Sequence, residues 1–219
     1  LSELQDEINK TGVNDIELVI GIDFTGSNLT SGKNTFGQCL HTVDPMCPNP
    51  YENVMTFMAD AMQPYNKSNT ISVFGFGDKT TGSKAVFNFN KNNEPFHSME
   101  DILTSYHEQL EARSFAGPSS LAPIILKTIE MVKTNRKLCV LVIVCDGQVS
   151  DIDVNRRALE EASNYPISII CVGVGDGPFG VMDTFDNCVH RSKFDNFNFI
   201  EYAHHFPTKA ISEKEKEDF

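Results

Sequence analysis

The chain has 219 residues, a length that suits one α/β domain, and its hydrophobic content of 40% is typical of a soluble globular protein. The formal net charge of −12 argues against nucleic acid as a partner, because binding phosphate requires a surface rich in Lys and Arg. The same charge argues against direct membrane contact by this domain alone, and it suits a basic or metal-bridged protein partner.

Short apolar runs alternate with amphipathic helical patterns along the chain. Runs rich in β-branched residues predict strands buried on both faces, and apolar residues spaced three and four apart predict helices. In chain order, the predicted elements are a strand at Leu18–Ile22, a helix from about Tyr51, a strand at Ile71–Phe76, a strand at Val86–Phe89, a helix after Met99, a helix with its stripe from Leu121 to Val132, a strand at Leu138–Val144, a helix with its stripe from Val154 to Ala162, and strands at Ile167–Val174 and Phe197–Ile200.

This alternation predicts an α/β fold with a doubly wound, mostly parallel six-stranded sheet and helices on both faces. The connection G77-D-K-T-T-G-S-K84 is too short for a parallel crossover, so Val86–Phe89 is predicted to be an antiparallel edge strand. Ser98 or Ser120 could cap the helix that follows it.

The cysteines and the two ends of the chain give expectations about its cellular context. The six cysteines contain no C-x-x-C pair, which argues against a zinc site, and Cys139, Cys145 and Cys171 are predicted to be buried free thiols in a reduced, cytoplasmic protein. The N-terminus lacks the features of a signal peptide and an initiator Met, so we expect a piece of a longer chain. We expect residues 1–15 to form a helical extension, residues 16–206 the domain, and residues 207–219 a charged tail.

Two nucleotide-binding interpretations of the glycine-rich stretches fail. G173-V-G-D-G-P-F-G180 has Pro178 where the G-x-G-x-x-G fingerprint needs its last glycine. T30-S-G-K-N34 resembles the end of a P-loop, but Asn34 stands where Ser or Thr would coordinate magnesium. Both stretches are better interpreted as tight turns.

The stretch D23-F-T-G-S27 follows the first predicted strand with oxygen side chains at every second position. Asp146 ends the strand from Leu138, and carboxyl ends of neighbouring parallel strands meet at one edge of the sheet. The loop G117-P-S-S120 adds hydroxyls, so carboxylates and hydroxyls together would suit Mg²⁺ or another hard divalent ion. The alternative is that D-F-T-G-S is an ordinary turn or cap, since Asp, Thr and Ser favour both.

A metal between two carboxylates could also support phosphoryl chemistry. Hydrolases with an aspartyl nucleophile after the first strand usually place a second acid two residues later, as proton donor. Thr25 stands at that position, and a hydroxyl is not a general acid at neutral pH. A metal-dependent phosphohydrolase is therefore the lesser alternative, and we expect the domain not to be an enzyme.

The combination of D23-x-T-x-S27, a loop hydroxyl and D146-G resembles the metal-ion-dependent adhesion site of von Willebrand factor A-type domains. More specifically, the chain from about Leu18 to Tyr202 resembles the copine family, with a close likeness to the copine-like A-domain of plant RING-type ubiquitin ligases. The stretches that carry this resemblance are I20-G-I-D-F-T-x-S-N28, G32-K-x-T-F36, C39-L-H41, N49-P-Y-E52, F74-G-F-G-D78, G117-P-S-S-L-A-P123, D146-G-Q-V-S-D151, V172-G-V-G-D-G-P-F179 and F194-D-N-F-x-F199.

The resemblance implies a Rossmann-like sheet with strand order 3-2-1-4-5-6 and a metal held at its carboxyl edge. The implied ion is Mg²⁺, or Mn²⁺ or Ca²⁺, with a position that a partner's carboxylate can complete. Ser119 stands where the family usually has Thr, and Thr25 stands where adhesion domains commonly have Ser; both keep the hydroxyl. The implied ligands are Asp23, Thr25, Ser27, Ser119 and Asp146.

The resemblance also implies a role for the domain within a longer protein. The expected function is an intracellular protein-binding module, within a copine-like protein that acts in calcium-dependent membrane or signalling events. The alternative is the substrate-recruiting domain of a RING-type ubiquitin ligase. Lipid-binding and RING parts are absent from this sequence, so recruitment to a membrane or ubiquitin transfer would depend on other parts of the parent chain.

Overall fold

The computed structural model describes residues 15–188 and 196–205. The strands are β1 (Ile16–Asp23), β2 (Ile71–Phe76), β3 (Val86–Asn88), β4 (Leu138–Cys145), β5 (Ile167–Gly173) and β6 (Phe197–Glu201). The helices are α1 (Pro50–Met62), α2 (Met99–Ala112), α3 (Ala122–Asn135), α4 (Ile152–Ala162), α5 (Gly180–Cys188) and the short α6 (Tyr202–His205), and a 3-10 helix spans Gly26–Leu29.

The strands form one six-stranded sheet in the order β3-β2-β1-β4-β5-β6. Every neighbouring pair is parallel except β2 and β3, which are antiparallel. This confirms the predicted edge strand and the strand order that the family resemblance implies. In the middle of the sheet, Ile22 of β1 pairs with Val144 of β4, so these two strands end side by side.

The central strand β1 is buried along its whole length because helices cover both faces of the sheet. Its residues Leu18, Ile20 and Ile22 pack in a core with α1 and α2, whereas Val19 packs in a second core with α3, α4 and α5. The continuous apolar run of this strand is therefore explained by two cores, one on each side.

The helix caps agree with the sequence at one position and differ at another. Ser98 caps α2, as predicted, with its side chain accepting a hydrogen bond from the helix backbone. At α3, Ser120 accepts only a 3.3 Å bond from the N–H of Ala122. The main acceptor there is Asn155 of α4, whose Oδ1 lies 2.7 Å from the N–H of Leu121 and 2.9 Å from that of Ala122. The start of α3 is thus capped from another helix.

Several expectations concern the ends of the chain and its cysteines. The predicted helical extension and the charged tail fall, apart from Asp15, outside the described residues, so the bounds 16–206 stay a prediction. No helix in the described part of the chain is long and apolar enough to cross a membrane. Cys139, Cys145 and Cys171 are buried and free, as predicted.

Gly75 in β2 provides a test of the packing between the sheet and its edge strand. A Cβ added at Gly75 would lie 2.0 Å from Cζ of Phe87. The ring of Phe87 cannot easily move aside, because it is buried and the guanidinium of Arg113 lies 3.4 Å from its centre. We therefore expect Gly75→Ala to lower the free energy of unfolding by about 1–3 kcal/mol, measured by urea denaturation.

The matched control is Gly180→Ala, because a Cβ at Gly180 meets no atom within 4 Å. This variant should unfold at the same urea concentration as the wild type or at a slightly higher one, because Gly180 starts α5 and Ala favours a helix more than Gly does. Equal midpoints for both glycine variants would contradict the close packing of Phe87 on β2.

Candidate metal centre

Two buried carboxylates lie at the ends of the two central strands. Asp23 is the last residue of β1, and Asp146 directly follows the last residue of β4. Both side chains are fully buried, at 0% exposure. Burial, together with the negative charge of Asp146, raises the pKa of Asp23 well above its usual range. Two buried negative charges repel each other, and a positive charge beside them would stabilise the pair.

The first loop holds the oxygens of the D-x-T-x-S stretch in one cluster. Asp23 Oδ1 accepts a 2.8 Å hydrogen bond from the N–H of Thr25. The hydroxyl oxygens of Thr25 and Ser27 lie 3.1 Å apart, with Thr25 buried and Ser27 half-buried. The loop therefore turns immediately after β1, which keeps all three side chains at the carboxyl edge of the sheet.

The second loop, which carries Ser119, is joined to the other two loops by backbone bonds. Thr25 and Ala116 form a parallel β-bridge, and the N–H of Ala116 donates to the carbonyl of Phe24 at 3.3 Å. Ser150 donates to the carbonyl of Ser119 from its N–H at 3.0 Å and from its hydroxyl at 2.8 Å. All five predicted site residues therefore lie at the same edge of the sheet, Asp23 at the end of β1 and the other four on three loops that are bonded to one another.

Two oxygen atoms of this set are buried without a partner. Among the described residues, neither Asp23 Oδ2 nor Ser119 Oγ has a hydrogen-bond partner. A buried polar atom without a partner is costly, and the cost is removed if a cation binds there. Donors that are all carboxylate and hydroxyl oxygens suit a hard divalent ion. The residues present thus fit a divalent metal ion.

The described residues contain no group of three or more His, Cys, Asp or Glu side chains placed to hold a metal. A centre at this edge would therefore rely on two carboxylates supplemented by hydroxyls. Such a set leaves several positions for water or for a partner's oxygen.

Ser31 contacts the site, although no sequence motif pointed to it. Its hydroxyl donates a 2.7 Å hydrogen bond to Asp146 Oδ2. Its carbonyl accepts from the N–H of Asp176 at 2.6 Å, and the carboxylate of Asp176 accepts from the N–H groups of Asn34 and Thr35. The stretch that resembles the end of a P-loop is thus a turn whose serine holds a carboxylate of the site.

Asp78, at the end of the F74-G-F-G-D78 stretch, holds the start of the second loop through an ion pair with Arg113. Its carboxylate is 1% exposed and accepts hydrogen bonds from the Thr80 hydroxyl at 2.6 Å, the Thr81 N–H at 2.9 Å and Arg113 Nη1 at 2.9 Å. Burial raises the pKa of Asp78, but these hydrogen bonds outweigh it and hold the pKa at about 2. Arg113 directly follows the last residue of α2, so the ion pair fixes where the second loop begins.

The low pKa of Asp78 makes its contribution to stability depend on pH. Because the pKa is lower in the folded than in the unfolded protein, the contribution is complete above about pH 4 and is lost as the pH falls through about 2. We expect Asp78→Asn to lower the free energy of unfolding at pH 7 by roughly 1–2 kcal/mol, and the gap from wild type to narrow as the pH falls from 4 to 3. Urea denaturation across this range measures both.

Asp153→Asn is the control, because Asp153 forms an ion pair with Arg156 at the surface and its side chain is 70% exposed. Its effect should stay within about 0.5 kcal/mol at every pH. A gap for Asp78→Asn that stays constant from pH 7 to pH 3 would show that the charge of this carboxylate does not stabilise the fold.

Comparison with known proteins agrees with the fold and with the motifs. The family model for copines, described as Copine, matches residues 39–217, which is more than half of the chain. The chain belongs to the copine family. This confirms the family resemblance of the motifs.

Two kinds of relative illustrate the range of this family. Copine family protein 1 of Caenorhabditis elegans is 36% identical over 203 residues, which are 92% of this chain and 18% of that protein. The E3 ubiquitin-protein ligases RGLG4 and RGLG3 of Arabidopsis thaliana are 36% and 35% identical, over 93% and 97% of this chain and 54% and 60% of their own lengths. The part of these relatives that matches this chain thus makes up between 18% and 60% of their own lengths.

Solved structures show the von Willebrand A-type fold. The crystal structure of manganese-loaded TRAP protein from Plasmodium vivax matches with a TM-score of 0.51 at 10% identity, over 87% of this chain and 70% of that one. Proximal thread matrix protein 1 from the mussel byssus, with a zinc-occupied MIDAS motif, matches with a TM-score of 0.54 at 12% identity, over 87% of this chain and 45% of that one. At these identities the likeness extends to the fold alone.

Proposed function

We propose that this copine domain is a non-enzymatic protein-binding module that contacts its partner through a divalent cation. The ligands would be Asp23, Thr25, Ser27, Ser119 and Asp146, and the ion Mg²⁺, Mn²⁺ or Ca²⁺. The observation that carries the proposal is the pair of buried oxygens without partners, Asp23 Oδ2 and Ser119 Oγ, together with a second buried carboxylate, Asp146, at the end of the neighbouring strand.

The chain's own residues supply both charge and access. Asp23 and Asp146 contribute negative charge that a dication offsets, while the hydroxyls add neutral oxygens. Ser27 is half-buried, whereas the other four ligands are buried, so solvent and a partner reach the site from the side of Ser27. When bound, the ion supplies a positive charge and a free coordination position that a partner's carboxylate can fill.

The residues around this site favour binding over catalysis. Thr25 occupies the place of the proton donor in aspartyl phosphohydrolases, and a hydroxyl does not act as an acid there. Burial lowers the pKa of His41 to about 3, and both of its ring nitrogens are hydrogen-bonded, to Tyr106 and to the carbonyl of Asp23. His41 is therefore not available as a general base.

A second candidate function follows from the plant relatives. Because 93% of this chain aligns with a ubiquitin ligase, the domain could recruit substrates for ubiquitin transfer in a longer protein. The transfer itself would belong to a RING part of that protein, and the cellular setting would be the cytoplasm. In that case the full-length parent ubiquitinates the protein that this domain retains, and loses that activity with Asp23→Asn.

Metal binding is the first test of the proposal. Isothermal titration of Mg²⁺, Mn²⁺ and Ca²⁺ into chelator-stripped protein should show saturable binding at one site. Asp23→Asn and Asp146→Asn should each abolish it, since each removes charge but keeps the shape of the side chain. The folded state should tolerate Asp23→Asn, because the change relieves the repulsion between two buried carboxylates.

Asp153→Asn again serves as the control, because this exposed carboxylate lies on α4 and should leave the affinity unchanged. Absence of binding by folded wild-type protein would overturn the metal-dependent contact and favour a scaffold that binds through another surface.

Partner binding is the second test. Immobilised wild-type domain should retain a protein from cell extract in Mg²⁺ and release it in chelator, and Asp23→Asn should not retain it. Quantitative mass spectrometry of the released fraction compares the wild type with Asp23→Asn and with the control Asp153→Asn. The control should behave as the wild type. A partner held equally in chelator and by Asp23→Asn would contradict a metal-bridged contact.

A further inference from the structure

Behind the first loop lies a buried polar cluster that includes His41, Tyr51 and Tyr106, all less than 5% exposed. His41 Nε2 lies 2.8 Å from the carbonyl oxygen of Asp23, and because a carbonyl only accepts, Nε2 is the donor. The other nitrogen, Nδ1, is then the acceptor for the hydroxyl of Tyr106 at 2.6 Å. A neutral imidazole thus connects α2 to the backbone of Asp23.

A second connection reaches Thr25. The hydroxyl of Tyr51, in α1, donates to Asn28 Oδ1 at 2.5 Å. This contact sets the orientation of the amide, so that Asn28 Nδ2 donates to the Thr25 carbonyl at 3.1 Å and to the Thr25 hydroxyl oxygen at 3.2 Å. Asn28 is itself fully buried, at 0% exposure.

The two connections form one packed unit. The rings of His41 and Tyr51 stack with their centres 4.0 Å apart and their planes within 13°. Asn49, which caps α1, donates to the hydroxyl of Tyr106 at 3.3 Å. Every polar side chain of the unit therefore has a partner, as a buried polar network requires.

Resting on the proposed function, we infer that His41 and Asn28 are positioning residues of the metal site: His41 fixes the backbone of Asp23, and Asn28 fixes the carbonyl and hydroxyl of Thr25. Apolar side chains would fill the same volume without the cost of burying imidazole and amide groups. The polar groups are instead directed at the two loop residues whose side chains would bind the ion. Residues that hold metal ligands in place typically change metal affinity by about 10–100-fold when they are replaced.

The test compares variants that keep a ring and remove a hydrogen bond. His41→Phe keeps the aromatic packing but loses both bonds, and Tyr51→Phe and Tyr106→Phe each lose one hydroxyl. The probe is Mg²⁺, titrated calorimetrically, and the second readout is hydrogen–deuterium exchange over residues 23–29. We expect His41→Phe to weaken Mg²⁺ binding by about 10–100-fold and to speed exchange in this segment, with smaller effects from either tyrosine variant.

The matched control is Ser105→Ala. Ser105 neighbours Tyr106 in α2, is 9% exposed, and donates a 2.8 Å bond to the carbonyl of Phe89, which directly follows β3 and belongs to none of the three site loops. The Ser105→Ala variant should be less stable than the wild type, because it lacks a buried hydrogen bond. Its affinity for Mg²⁺ and its hydrogen–deuterium exchange over residues 23–29 should equal those of the wild type. This separates a positioning role from a general loss of stability.

The possible outcomes decide the inference separately from the proposed function. If wild type binds Mg²⁺ and a folded His41→Phe variant keeps both affinity and exchange, the inference is overturned and the metal site stands. If wild type binds no metal, the proposed function falls, and unchanged exchange over residues 23–29 overturns the inference as well. If His41→Phe does not fold, the two tyrosine variants decide by the same two readouts.

Discussion

The burial of two carboxylates side by side is the constraint on which the carboxyl edge of this domain depends. Parallel pairing of β1 with β4 brings Asp23 and Asp146 to one place at the carboxyl edge of the sheet. Their proximity is therefore set by the backbone and does not depend on the side-chain rotamers. Each is held by donors from its own loop, the N–H of Thr25 for Asp23 and the N–H of Gln148 for Asp146. These bonds satisfy one oxygen each and leave the shared negative charge for a cation to offset.

The loops around this pair are bonded mainly to one another. Ser150 reaches the carbonyl of Ser119, Ser31 reaches Asp146, and Asn155 connects the start of α3 to the carbonyls of Ser150 and Asp151. These bonds among the protein's own groups hold the site side chains in place, so that little conformational entropy would be lost if an ion bound there. In this respect the candidate site resembles a preformed receptor more than a flexible acidic loop.

The sequence was sufficient for the elements and for expecting the five candidate residues at one edge of the sheet, because both leave local signals; that these residues bind a metal stays a prediction. The apolar runs of β1, β4 and β5 and the short connection before β3 predict the sheet, and the spacing of D-x-T-x-S predicts one cluster of oxygens. The sequence was not sufficient for Asn155, His41 or Ser31. Each of these side chains forms a hydrogen bond with a residue that is distant along the chain. A single sequence contains no periodic or local pattern that predicts such a contact. The cap of α3 shows this well: Ser120 is the local candidate, and Asn155 of another helix does most of the capping.

The brevity of β3 has a consequence for how the molecule behaves at high concentration. An edge strand offers unpaired N–H and C=O groups to which a strand of another molecule can bond, and long flat edges promote aggregation. On this side of the sheet the edge strand is only three residues long, Val86–Asn88, and the polar turn Asn90–Asn93 follows after Phe89. A strand of a second molecule could pair with very little backbone at this edge. The short edge strand therefore protects the parallel strands beside it from intermolecular pairing.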